Sequence, residues 1–169
     1  MHVRSLSLRE YQQQLIERIR ATASSEATSS HLGFEAGEQL WAVPLTEVSE
    51  VIPTSALTSV PLTESWFMGM ANIRGSLYAV TDFARFVSGS ITPITVECRF
   101  ILLHERYRAH AALLIRRSLG LRQLRGSAEQ DAAAPTWQSA THSDMEGRTW
   151  RELTVQKLTR DPRFLRAGR

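Results

Sequence analysis

The chain holds 169 residues, 43% of them hydrophobic, which suits one domain or two small lobes sharing a core and excludes a disordered protein. Its formal charge of +3 is carried almost entirely by arginine, with Lys157 the only lysine, and the single cysteine, Cys98, excludes an internal disulfide. No apolar run reaches membrane-spanning length and no signal-peptide core opens the sequence, so the expectation is a cytoplasmic protein without direct membrane insertion.

Residues 5–21 predict an amphipathic helix. Leu8, Tyr11, Leu15, Ile16 and Ile19 recur at helical spacing, with Arg9, Glu10, Gln13, Glu17 and Arg20 on the other side. Residues 22–30 are small and polar and predict a flexible linker, so residues 1–30 read as a unit apart from 31–169. Short strands follow. Leu32, Phe34 and Ala36 alternate with polar positions, Gly37-Glu38 marks a turn, and Leu40 to Leu45 returns as a strand. Val48 to Ile52 is a third strand, stopped by Pro53.

The segment Gly69-Met70-Ala71-Asn72-Ile73-Arg74-Gly75-Ser76-Leu77-Tyr78-Ala79-Val80-Thr81-Asp82 is the most informative one. Its polar Asn72-x-Arg74-Gly75 lies between two apolar runs, so two strands meet at a tight turn or bulge, with Gly75 free to take a positive φ. Arg74 sits at that turn, where a guanidinium reaches out or bridges to a neighbouring carboxylate. Asp82 is placed to cap a short helix from Phe83 to Val87. Phe100 to Leu103 and Ala111 to Ile115 flank the charged turn Glu105 to Arg108 as a hairpin. Residues 126–136 predict a flexible loop, and a late hairpin turns at Glu146-Gly147. Thr154 and Asp161-Pro162 start two terminal helices. About ten short strands with helical ends predict a mainly β fold of barrel type.

The chemistry of an enzyme is missing from the pattern. The histidines are scattered, one cysteine builds no zinc cluster, and no nucleophile elbow, phosphate loop or dinucleotide fingerprint occurs. The expectation is therefore no cofactor, no metal and no catalytic residue. Seven arginines between Arg99 and Arg125 face only Glu105, which leaves a basic β-barrel module binding nucleic acid as the alternative function. Aromatic residues for base stacking are sparse there, with only Phe100 and Tyr107. Arg116 and Arg117 end an apolar strand. Alternation places at most one toward the core side and frees the other for a partner.

The order of features resembles a known family. Phe34-x2-Gly37-x3-Trp41-x-Val43-Pro44-Leu45 precedes Val48-x-Glu50-Val51, then comes a proline loop, Gly69-x2-Asn72-x-Arg74-Gly75, and a strand running into Asp82. That pattern is similar to the CheW-type adaptor domain of bacterial chemosensory systems and spans roughly residues 31–166. The ending Arg160-Asp161-Pro162-x-Phe164-Leu165 and the leading helix with its linker look most like the adaptor of the type IV pilus, or twitching motility, system. The resemblance implies two small five-stranded SH3-like β-barrels sharing a core, and a non-enzymatic scaffold recruited to membrane-bound receptor arrays. Its implied partners are a methyl-accepting chemoreceptor's cytoplasmic tip and the regulatory domain of a CheA-type histidine kinase, not nucleic acid. It places Arg74 and Glu50, with Val48 alongside, in the receptor-facing region, where a strand-borne Glu and Arg can form a charge-assisted pair, and it counts Asn72 and Gly75 among the residues that bind receptor or kinase. The chain departs from the family at Ile115-Arg116-Arg117-Ser118, where many members carry an acidic pair. Arg116 and Arg117 are therefore the expected positions of a changed partner contact.

Overall fold

The computed structural model describes residues 30–124, 132–144 and 146–169. The helix expected over 5–21, most of the 22–30 linker and part of the 126–136 loop lie outside the described residues.

Eleven strands form two sheets among these residues. β1 (His31–Ala36) and β2 (Gln39–Pro44) make a hairpin at Gly37-Glu38. They join β9 (Arg117–Arg122), β10 (Gln138–Ser143) and β11 (Thr149–Leu153) in a sheet of order β10-β11-β2-β1-β9. The second sheet takes β3 (Val48–Pro53), β4 (Leu57–Thr58), β5 (Phe67–Ile73), β6 (Ser76–Asp82), β7 (Arg99–Leu103) and β8 (Ala111–Ile115), in the order β3-β7-β8-β6-β5-β4. Residues 48–115 thus build one whole sheet, while the segments before and after them build the other.

The apolar runs in β7 and β8 are continuous because both faces of these strands are buried. Ile101, Leu103, Ala111, Leu113 and Ile115 enter a large core shared with the first sheet. Phe100, Leu102, Ala112 and Leu114 turn the other way, into a smaller core with Ala71, Ile73, Val80 and Cys98. In the shared core, aromatic rings link the two halves: Trp41 lies 5.0 Å from Phe83 and 5.8 Å from Trp137, and Phe86 lies 5.8 Å from Trp137 and 5.7 Å from Phe164.

Helix starts fall where the sequence places them. Asp82, fully buried, accepts from the Arg85 amide and starts α1 (Phe83–Ser88); it also holds the Thr92 amide at 2.9 Å and the Thr92 hydroxyl at 2.7 Å. Asp161 caps α3 (Pro162–Leu165) through the Arg163 amide and accepts from Trp137 Nε1 at 3.0 Å. α2 (Val155–Leu158) differs, because Thr154 makes no side-chain cap. Glu47 supplies it instead, accepting the Val155 amide at 2.5 Å from 108 residues away in sequence.

Three features depart from expectation. β1 does not alternate between buried and exposed positions: His31, Gly33 and Glu35 are as buried as Leu32, Phe34 and Ala36. The strand lies inside its sheet between β2 and β9, and its second face is covered too. β4 and β9 are additional strands. β4 has only two residues, and β9 (Arg-Ser-Leu-Gly-Leu-Arg) has no alternation and forms by pairing with β1.

Candidate functional site

The Asn72-x-Arg74-Gly75 motif is the turn of the β5–β6 hairpin. Ile73 pairs with Ser76, leaving Arg74 and Gly75 as a two-residue loop. Their φ values of 51° and 86° are those of a type I′ turn, whose twist matches the flanking strands. Asn72 Oδ1 accepts the Gly75 amide at 2.9 Å and locks the turn. The turn aims Arg74 at β3, where both of its terminal nitrogens donate to Glu50, at 2.8 and 2.7 Å. The hydrogen bonds and negative charge of Glu50 raise the Arg74 pKa above its usual value.

This fork has a topological meaning. In the ladder order β7, β8 and β6 lie between β3 and β5, yet Glu50 on β3 reaches the β5–β6 turn. The second sheet therefore curls until its two sides meet, and the pair clasps the seam. The side chains of Arg74 and Glu50 are 74% and 38% exposed, so the clasp faces solvent and is open to a partner. Val48, at the start of β3, is half-buried against the shared core, and Leu77, next to the turn, is exposed. The structure thus brings Val48, Glu50, Asn72, Arg74 and Gly75 to one sheet.

Arg116 and Arg117 lie elsewhere, at the β8–β9 link and the start of β9 on the outer edge of the first sheet. Strand alternation does not govern them, because Arg116 falls between the two strands. Neither arginine is buried and neither is free. Arg116 donates to one oxygen of Glu35 at 2.6 Å and Arg117 to the other at 2.7 Å. Glu35 is 7% exposed, and a buried carboxylate of this kind requires such cations. The arginine expected to be free is therefore held by a carboxylate, though both guanidinium groups stay about half exposed.

Sequence reasoning missed Glu35 because its place in an alternating strand reads as solvent-facing. It also missed a cluster on the first sheet, where Glu152 bridges His142 at 2.8 Å and His31 at 3.5 Å. The His31 bond, with help from His142, holds the Glu152 carboxyl down at about 2. Nearby in sequence, Asp144 accepts from Trp150 Nε1 and Arg148, which keeps it ionised well below the usual carboxylate range. Among the described residues, no group of three or more His, Cys, Asp or Glu side chains has the geometry to hold a metal ion.

Three further arginines of the 99–125 stretch have local partners among the described residues. Arg99 binds the carbonyls of Val96 and Cys98, Arg106 lies over Tyr107, and Arg122 lies over Trp150. Arg125 lies outside the described residues.

A family model described as the CheW-like domain matches residues 30–163. The chain belongs to the CheW-like family. Within it, the chain is 30% identical over 101 residues to protein PilI of Pseudomonas aeruginosa, a match covering 59% of this chain and 56% of that relative. The match thus spans little more than half the length of the curated relative. Its fold is similar to that of the scaffolding protein TtCheW from Thermoanaerobacter tengcongensis, with a TM-score of 0.63 at 16% identity, over 75% of this chain and 88% of that one. The two sheets accordingly have the fold of the two SH3-like barrels of a CheW-like protein. Among the described residues, no helix is long and apolar enough to cross a membrane.

Proposed function

We propose that this CheW-like protein is a non-enzymatic adaptor coupling the cytoplasmic tip of a methyl-accepting chemoreceptor to the regulatory domain of a CheA-type histidine kinase. The observation that carries the reading is the solvent-facing Glu50–Arg74 fork. A type I′ turn, an Asn72 lock and a facing strand all position a charged pair that the interior does not need. In this reading Val48, Glu50, Asn72, Arg74 and Gly75 face the receptor, and the half-exposed Arg116 and Arg117 face a second partner. The match to PilI and the resemblance of the chain's ending to the pilus adaptor support output to type IV pilus twitching motility. Residues 31–169 form the adaptor domain and 1–30 a separable segment. No turnover or cofactor is part of the function, and the site of action is the cytoplasmic face of a receptor array.

The test is co-purification of the full chain with a receptor tip and a CheA-type regulatory domain. A ternary complex that survives moderate salt is expected. Failure to bind either partner, with steeply salt-dependent nucleic-acid binding instead, overturns the proposal.

A further inference from the structure

A cleft of about 540 Å³ opens between the single-turn helix Glu105–Tyr107 and α2 with the turn that follows it, beside the start of β3. It is lined by Glu47, Arg106, Tyr107, Gln156, Thr159 and Arg160. Its lining is rich in donors and poor in free acceptors. Glu47, its one carboxylate, accepts the Val155 amide at the start of α2 with one oxygen and also interacts with Tyr107. Thr159 turns its hydroxyl back onto the Val155 and Gln156 carbonyls. Arg106 lies 4.9 Å above the Tyr107 ring and donates to its hydroxyl at 2.9 Å, so an aromatic ring fixes it rather than an acid. Arg160 is exposed, and no carboxylate among the described residues pairs with it or with Arg106. Glu105 shares the turn with Arg106 but does not line the cleft.

We propose that this cleft binds carboxylate side chains from an acidic segment of a partner protein, with Arg106 and Arg160 as the two guanidinium donors. Two guanidinium groups against one committed carboxylate leave the cleft cationic, and a guanidinium fork matches a carboxylate in shape and charge. Nucleic acid fits less well, because the only aromatic face, that of Tyr107, is already covered by Arg106. A lipid surface also fits less well, because the lining offers no aliphatic side chain to enter the acyl region. The assignment goes beyond the receptor–kinase reading and does not depend on it.

The test uses the full chain and a fluorescein-labelled oligoglutamate peptide, read by fluorescence polarisation. Saturable binding is expected, weakened roughly tenfold by Arg160→Gln and again by Arg106→Gln, the scale of a lost charge-assisted hydrogen bond. Arg85→Gln and Arg166→Gln remove the same charge outside the cleft and should stay within about twofold of the parent. Arg160 is exposed, so Arg160→Gln keeps the test valid even if Arg106→Gln fails to fold; thermal melts check both. Three outcomes overturn the proposal: no saturable binding; equal losses in cleft and control variants; or tighter binding, through the same two arginines, of a single-stranded oligonucleotide or phosphatidylglycerol vesicles.

Discussion

Arg74 is placed by its turn and held by its neighbour, and these two facts separate its role in folding from its role in binding. Three-quarters of its side chain is in solvent, where water screens the attraction to Glu50. Arg74→Ala should therefore move the melting temperature by no more than roughly 2 °C. Binding to a receptor tip should weaken at least roughly tenfold if the arginine sits centrally in the interface. A melt and a titration on the same preparation check both; a large drop in melting temperature with unchanged binding would make the pair purely structural. Glu152 presents the opposite case, a charge turned inward. Its carboxyl is lowered from 4.5 to about 2 by the bonds from His31 and His142. A depressed folded-state value means stability that is fully present above the unfolded value and lost as the pH falls through the folded one. Acid unfolding should therefore gain a limb between pH 4.5 and about 2, which Glu152→Gln flattens. Urea midpoints measured down that range decide it.

What the sequence shows of each element depends on how far away its reason lies. The β5–β6 turn is legible because Asn72, Arg74 and Gly75 make it among themselves. The starts of α1 and α3 are legible because Asp82 and Asp161 cap their own helices. The cap of α2 is not, because Glu47 comes from the far end of the domain. Burial of Glu35 is likewise invisible locally, since the neutralising arginines are 81 and 82 positions away. β9 is hidden for the same reason, because pairing with β1 makes it a strand. Of the candidate site, Glu50 and Arg74 were readable as a pair, whereas the joint hold of Arg116 and Arg117 on Glu35 was not. Two glycines on the clasp hairpin put the local logic to a test. Gly75 has a φ of 86° with nothing within 4 Å of an added Cβ, so Gly75→Ala meets backbone strain alone, about 1 kcal/mol. Gly69 has a φ of 120° and would set a Cβ 2.3 Å from the Thr58 carbonyl oxygen, so β4 must leave β5 or the hairpin must shift. Gly69→Ala should cost about 3 kcal/mol or more, and paired denaturation curves should rank the two variants in that order.

At the scale of the molecule, the chain path makes the two barrels inseparable. The first sheet is built from the segments flanking the residues that build the second, so no cut leaves both complete. Their shared core follows from that path: Phe34 and Trp41 come from the first sheet, Ile101 and Leu113 from the second, and Phe83, Phe86 and Trp137 from the connections between strands. Trp137 tests this interdependence because it belongs to neither sheet yet touches Trp41, Phe83 and Phe86, while its indole nitrogen donates to the Asp161 cap. Trp137→Ala removes a fully buried ring and strands that hydrogen-bond acceptor, which should cost about 3–5 kcal/mol. The loss should fall on both barrels together. Far-UV circular dichroism reports both sheets, whereas labelling of the Cys98 thiol reports the inner core of the second alone. Coincident denaturation midpoints, lowered equally in the variant, are expected of one cooperative unit. A second barrel that keeps Cys98 protected after the rest of the chain has unfolded would show that the aromatic core joins two independently stable lobes.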